Sequence, residues 1–438
     1  MKKLLPIYFL AGCMALFAAC SDDDINEKPG DTPSTPGDDE QVDPEPDPDP
    51  SGSLTGYGDP DGMMILSSGS GSEENAYLTF IAPDGTVENH VYANANGGAT
   101  LGNAGVDMYL CGNKQYILCN DYFRNTGQLL IIADAETLKK EKSFARESMV
   151  FEHPINMVDD KKEMEEVDES LKGIIALDEQ NIFIFGQGVL RFDSTTGKLT
   201  LVKDGYDIGN AGSANTVESI TAAASSVVAN GNIYSATGGF WQSGTLLEFV
   251  KGKDEVNRKL TLRGRGDLVS GVCQIDDHTI VVGSYLRGKA NKEGYLCFVD
   301  INKWDVTDSR TIDASIARCM KDNSGITYHN GYLYFTGGVE GEFSADLNTT
   351  LSRYHLESGK LEKDIVDFKA DAPEGNVLDC CVTADPDSGY LYVALSDQWM
   401  EGYVPQSTVL VYDLNGETPK LVKKISNEVH YVAGFYPL

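Results

Sequence analysis

Between Val106 and Phe144 the chain sets short apolar, β-forming segments between polar turns. VDMYLC alternates, GNK turns, and QYILCN is a run of β-forming residues. A polar and aromatic loop, DYFRNTG, leads to QLLIIADA, and a Thr-Leu-Lys turn leads to a last short strand near Lys142–Phe144. This pattern predicts four antiparallel strands in succession. A meander of that size buries too little apolar surface to stand alone, so it needs neighbours of its own kind.

Those neighbours follow along the chain. The unit restarts at Leu171, Ser225, Leu268, Gly325 and Leu378, at intervals of 43 to 65 residues. The two ends hold the pieces of one more copy. Met63–Ser67 (MMILS) resembles a second strand, followed by AYLTFIAPDGTV and ENHVYA but preceded by no first strand. At the other end, VHYVAGFYPL (Val429–Leu438) resembles a first strand with nothing after it. The expected fold is all-β: a seven-bladed β-propeller of four-stranded antiparallel blades, closed where the C-terminal strand completes the N-terminal blade. Closure removes the sheet edges that would otherwise template aggregation. The four-strand period and the split first copy argue against a solenoid or a pair of sandwiches.

Tyr116-Ile117-Leu118-Cys119-Asn120, followed by Leu129 to Thr137 (LLIIADAET), looks like a degenerate YVTN-type propeller repeat. Leu391–Ala394 and Ile233–Thr237 are weaker copies. With its acidic N-terminal tail, the chain is similar to the YncE-like propeller lipoproteins of gut Bacteroidota over roughly residues 63–438. One subgroup of these captures vitamin B12 at the cell surface for an outer-membrane importer. The resemblance therefore implies a corrinoid ligand and a TonB-dependent outer-membrane transporter as partner. Its matching motifs are blade strands, so it assigns no ligand contact to a particular residue.

Residues 1–20 read as a secretory signal, with Lys2 and Lys3 ahead of an apolar core that is too short and too early for a membrane span. Ala18-Ala19-Cys20 suits lipoprotein processing, with Phe17 where Leu is preferred. Leu10-Ala11-Gly12-Cys13 fits that box better but leaves a very short core and retains apolar residues after cleavage. The abrupt change to SDDD after Cys20 favours Cys20 as the lipidated residue. Residues 21–56 are expected to be a disordered acidic tether. Ser21–Pro50 holds twelve acidic residues, seven prolines and one lysine, which cannot bury enough surface to fold. Residues 57–438 are expected to form the propeller, on a protein lipid-anchored in the outer membrane and facing the cell surface.

The net charge of −32 repels phosphate backbones and excludes nucleic acid as a natural partner. Beyond Cys13 and Cys20 there are seven cysteines, mostly on apolar strand positions, and no disulfide framework is expected. None of the six histidines has a second ligand at metal-site spacing, and there is no nucleophile elbow or phosphate loop. The expectation is a non-enzyme without metal or cofactor. The insertion Phe151–Ser170 is expected to be a solvated loop whose charged second half could form a short helix.

Topology locates the candidate site. In an up-and-down blade the loops joining strands 2 and 3, and strand 4 to the next blade, emerge on one face. The 1–2 turns on the other face are short and polar. The 2–3 loops are long and carry aromatics: Tyr122, Phe123 and Arg124; Phe240 and Trp241; Tyr285 and Arg287; Phe343; Trp399 and Tyr403. Arg263, Arg265 and Arg318, in loops between blades, would add donors. Large aromatics gathered on one rim need something to cover them, so this face is the candidate for a bulky, partly apolar ligand. A glycan- or protein-binding module is the alternative, since exposed aromatics also stack on sugars. A propeller hydrolase with single residues from several blades around the channel is a further one.

Overall fold

The computed structural model describes residues 54–69, 74–154, 162–167, 171–186, 188–205, 207–208, 217–218, 226–239, 242–262, 264, 268–286, 293–313, 325–336, 349–397 and 405–438. The compact unit runs from Ser53 to Leu438. It contains seven four-stranded antiparallel blades, and the fold is a seven-bladed β-propeller. Blade 1 is built from both chain ends. Its inner strand Val432–Pro437 pairs with Met63–Ser67, followed outward by Tyr77–Ile81 and Val87–Glu88. Blade 2 comprises Ala104–Cys111, Lys114–Asn120, Leu130–Asp134 and Lys140–Phe144, as its alternation predicts. Blades 3 to 7 follow, with inner strands beginning at Gly173, Ser226, Leu268, Thr327 and Val377.

Residue alternation becomes interblade packing. Tyr116 and Leu118 point toward blade 3 and join Ile174, Ile182 and Ile184, whereas Ile117 and Cys119 point toward blade 1 and join Met64, Leu66 and Leu78. Because blades cover each other on both faces, the second and third strands are apolar at successive positions. The core is seven such clusters, one at each blade–blade interface. The cluster between blades 7 and 1 contains Phe435 and Val432 from the closing strand beside Tyr392, Val409 and Ile425. The 1–2 turns of blades 4 and 6 are Asn-Gly hairpins in which both residues take positive φ (Asn230 50° and Gly231 73°; Asn330 45° and Gly331 82°).

Asp107 stitches the inner strands of three blades. Its Oδ2 accepts from the Ile174 amide of blade 3 (2.8 Å), and its Oδ1 accepts from the Tyr436 hydroxyl of the closing strand (2.8 Å). Gly434 leaves room for that phenol, because a Cβ there would lie 2.5 Å from the Tyr436 oxygen. Burial pushes the Asp107 carboxyl up to about 6, against the lowering effect of the Ile174 and Tyr436 hydrogen bonds.

The structure departs from the sequence reading in four places. The closing strand begins at Val432, because Val429 and His430 still belong to the outer strand of blade 7, Lys420–His430, and the chain turns at Tyr431 (φ 41°). In ENHVYA the outer strand already ends at Glu88, and a single helical turn, Val91–Ala95, follows it and buries Val91 and Tyr92 against blade 2. The charged half of the insertion is no helix: Lys162–Glu166 pairs with Val150–Pro154 as a hairpin. Phe151, 1 % exposed and packed in the interface of blades 2 and 3, fixes one strand, and cross-strand pairing then overrides the helical preference of KEMEE. Finally, the inner strand of blade 7 is split into Val377–Leu378 and Thr383–Ala384, both paired to Tyr390–Ser396. No disulfide joins any two of the described cysteines, Cys380 and Cys381 included. Among the described residues no helix is long and apolar enough to cross a membrane.

Two outcomes are expected. Deleting residues 432–438 exposes the edge Met63–Ser67 and opens the interface of blades 7 and 1, so the shortened chain loses its cooperative thermal unfolding by circular dichroism; an unchanged melt would contradict closure. At Asp107 the raised native pKa means stability is fullest below about pH 4 and is lost as pH rises through about 6. In urea unfolding, wild type should therefore lose roughly 2 kcal/mol relative to Asp107→Asn between those pH values. A difference that stays flat would show that the carboxyl is not strained by burial.

Candidate functional site

The loop joining strands 2 and 3 of blade 2 is described in full. Asp121, 2 % exposed, accepts from Thr126 N (3.3 Å) through Oδ1 and Gly127 N (3.0 Å) through Oδ2, and its carbonyl accepts from Arg124 N (3.1 Å). Asn103 braces the tip from the entry to blade 2: its Oδ1 accepts from Phe123 N (3.0 Å) and its amide donates to Asn125 Oδ1 (3.0 Å). Asn120 donates to the Tyr122 hydroxyl (3.0 Å). A loop tied at so many backbone points presents its side chains at low entropic cost. Phe123 stands 56 % exposed and Tyr122 39 %.

Arg124 does not stand free for a ligand. Its Nη2 donates to Glu166 Oε2 (2.7 Å), its Nη1 lies 3.6 Å from Glu147, and its backbone takes φ 52°. The residue straps the loop to the strand pair Val150–Pro154 and Lys162–Glu166, which carries exposed Val150 and Met164 to the same face. Tyr285 also takes another role. It is 2 % exposed and packs with Leu333 and Phe335 between blades 5 and 6, because the second strand of blade 5 runs through Tyr285 before the loop begins. Phe240, Trp241, Arg287, Phe343, Trp399 and Tyr403 lie outside the described residues, as do Arg263, Arg265 and Arg318.

Residues without a sequence signal join the face where the ring closes. Tyr431, between the outer strand of blade 7 and the closing strand, is 40 % exposed. Beside it, His430 Nδ1 is 2.9 Å from Glu74 Oε2, and its amide donates to the Tyr77 hydroxyl (2.9 Å). The Glu74 hydrogen bond raises the His430 pKa, burial opposes it, and Asp397 adds to the rise. Below them, Asp379 Oδ2 accepts from Ser407 Oγ (2.5 Å) and Val432 N (3.0 Å), while its Oδ1 accepts from Ser396 Oγ. Burial pushes that carboxyl up, although all three donors favour its charge. It ties the split inner strand of blade 7 to the start of the closing strand. The contacts of His430 with Glu74 and Tyr77, and of Val432 with Asp379, join residues more than fifty positions apart, which no local pattern discloses. Among the described residues, no group of three or more His, Cys, Asp or Glu side chains could hold a metal ion.

Fold and face define an acidic β-propeller that displays apolar side chains on its loop rim and short polar turns on the opposite one. Residues 61–436 match the family described as a domain of unknown function, DUF5074, and the chain belongs to that family. Among solved structures it is similar to a quinoprotein alcohol dehydrogenase-like protein from Bacteroides thetaiotaomicron, with 15 % identity over 85 % of this chain and 77 % of that one and a TM-score of 0.56. Hydrazine synthase of Kuenenia stuttgartiensis follows at 14 % identity, 73 % and 86 % coverage and a TM-score of 0.40. The Dos1 propeller matches at 12 % identity, 74 % and 85 % coverage and a TM-score of 0.40. At such identities the first likeness speaks to the fold alone. No curated protein matches the chain.

The two aromatic positions should separate in a stability measurement. Phe123→Ala should stay within about 0.5 kcal/mol of wild type, as an exposed tip residue does. Tyr285→Ala should cost about 3–5 kcal/mol, as an emptied core site does. Chemical unfolding of both variants checks this; equal effects would contradict the two placements.

Proposed function

We propose that this protein is a non-catalytic, surface-anchored lipoprotein whose loop face binds a bulky, partly apolar small molecule and hands it to an outer-membrane transporter. The observation that carries the reading is the distribution of exposed apolar side chains. Of the seven large ones among the described residues, Tyr122, Phe123, Val150, Met164 and Tyr431 belong to the loop face, leaving only Tyr390 and Val422 elsewhere. Scattered exposed hydrophobics are ordinary, whereas a concentration on one rim marks a binding surface. The rigid backing of Phe123 by Asn103 and Asp121 supports the same reading, since a pre-ordered aromatic loses little entropy on binding.

A corrinoid is the first ligand to test, on the strength of the resemblance to B12-capturing propeller lipoproteins. A flat macrocycle suits a broad aromatic rim, and its amide arms suit a polar loop such as Asn120–Asn125. The lipid anchor at Cys20 and the acidic, proline-rich segment after it support delivery at the outer membrane, where a tether would hold the propeller clear of the bilayer.

Isothermal titration of the purified protein with cyanocobalamin tests this. One-to-one binding should weaken at least about tenfold in Phe123→Ala, the loss of roughly 1.4 kcal/mol expected for an aromatic contact. Binding that ignores Phe123 would move the site, and no binding at high micromolar ligand would remove the corrinoid.

A further inference from the structure

A cavity of about 140 Å³ opens on the loop face at the rim of blade 1. The 2–3 loop of blade 1 supplies Glu74 and Asn75, the start of its third strand supplies Tyr77, the helical turn and the residue before it supply Tyr92 and His90, and the segment leading into blade 2 supplies Thr100. Its volume is well below the roughly 300 Å³ at which sites for drug-sized ligands begin, so it takes one small ring and never a macrocycle.

The lining chooses among small rings. Tyr77 and His90 form one aromatic wall, with ring centroids 4.3 Å apart, and His90 is held there by a left-handed backbone (φ 55°). Ala76, Ala93, Ala99 and Leu101 make the remaining sides apolar. Besides the His90 imidazole and the two tyrosine hydroxyls, the polar groups are a carboxylate, an amide and a hydroxyl, with Asn75 Nδ2 donating to Thr100 Oγ1 (3.1 Å). An anion would meet Glu74. A cation would find that charge already matched, because Glu74 Oε2 lies 2.9 Å from His430 Nδ1. A neutral ring with hydroxyls on its edge and C–H groups on its face fits both the walls and the polar set.

We infer that this cavity is a binding subsite for a single neutral sugar ring, recognised by Glu74, Asn75 and Thr100 at its hydroxyls and by the Tyr77–His90 wall at its face. The inference goes beyond the loop-tip reading and uses other residues, so either can fail alone. The two are nevertheless physically joined: Asn103 donates to Asn75 Oδ1 (3.2 Å) and accepts from Phe123 N (3.0 Å). The sugar could be the end of a glycan or the sugar portion of a larger ligand, because the cavity meets the same ring in both.

Saturation-transfer NMR of the purified protein with the methyl glycosides of mannose, galactose and ribose, at millimolar concentration, tests it. At least one glycoside should bind, and affinity should fall about fivefold to tenfold in Thr100→Val, which removes one hydroxyl at nearly constant shape. His90→Asn keeps a residue that tolerates positive φ while removing the aromatic wall, and it should weaken binding independently. Phe123→Ala should leave the glycoside signal unchanged, which separates this site from the loop tip. Competition by cyanocobalamin would assign the ring to a larger ligand, and its absence would assign it to a glycan end. Absence of transfer from all three glycosides, or transfer unaltered in both cavity variants, would overturn the inference.

Discussion

Pairing of Val432–Pro437 with Met63–Ser67 is the constraint on which the rest of the molecule depends. Each blade is a small sheet with apolar residues on both faces, and it is stable only if both are covered. In an open row the end blades would each expose one apolar face, and blade 1 would lack its inner strand. Closure supplies the strand and covers the faces at once, filling the interface of Phe435 and Val432 with Tyr392, Val409 and Ile425. Polar contacts then fix the register. Tyr436 reaches Asp107, Val432 reaches Asp379, and His430 reaches Glu74 and Tyr77.

The same closure organises the candidate site. With every inner strand running in one direction around the ring, tight turns collect on one rim and long loops on the other. The Asn-Gly hairpins leave little side chain to present on the first rim. On the second, Phe123 is displayed by a loop whose backbone is tied to Asp121 and Asn103, and Tyr431 marks the seam where the chain passes from blade 7 into blade 1. The cavity between Tyr77 and Thr100 lies beside that seam, so the residues that close the ring also shape its walls.

The fold was legible because period-2 alternation and turn chemistry are local. QYILCN needs nothing beyond itself to read as a buried strand, and MMILS with VAGFYP reads as two halves of one blade. Boundaries were harder, since Val429 and His430 carry the same alternation whether they end one blade or begin the next. The KEMEE segment misled for a related reason: its charges favour an exposed helix, and only the anchoring of Phe151 makes it a strand. The site was legible as a face more than as residues. Topology placed the 2–3 loops together, yet it could not distinguish Phe123, lifted into solvent, from Tyr285, one step inside its strand and buried. Nor could it foresee that Arg124 would face Glu166, or that Glu74 would meet His430, because those partners lie far apart in sequence.

The central claim is that the loop rim, and not the turn rim, is the binding surface. Hydrogen exchange of backbone amides with and without saturating cyanocobalamin addresses it directly. The account predicts protection at 121–127 and along the 162–166 strand, with no change at the turns 112–113, 179–180, 230–231 and 330–331. Protection confined to those turns, or none on either rim while the ligand is bound, would contradict it.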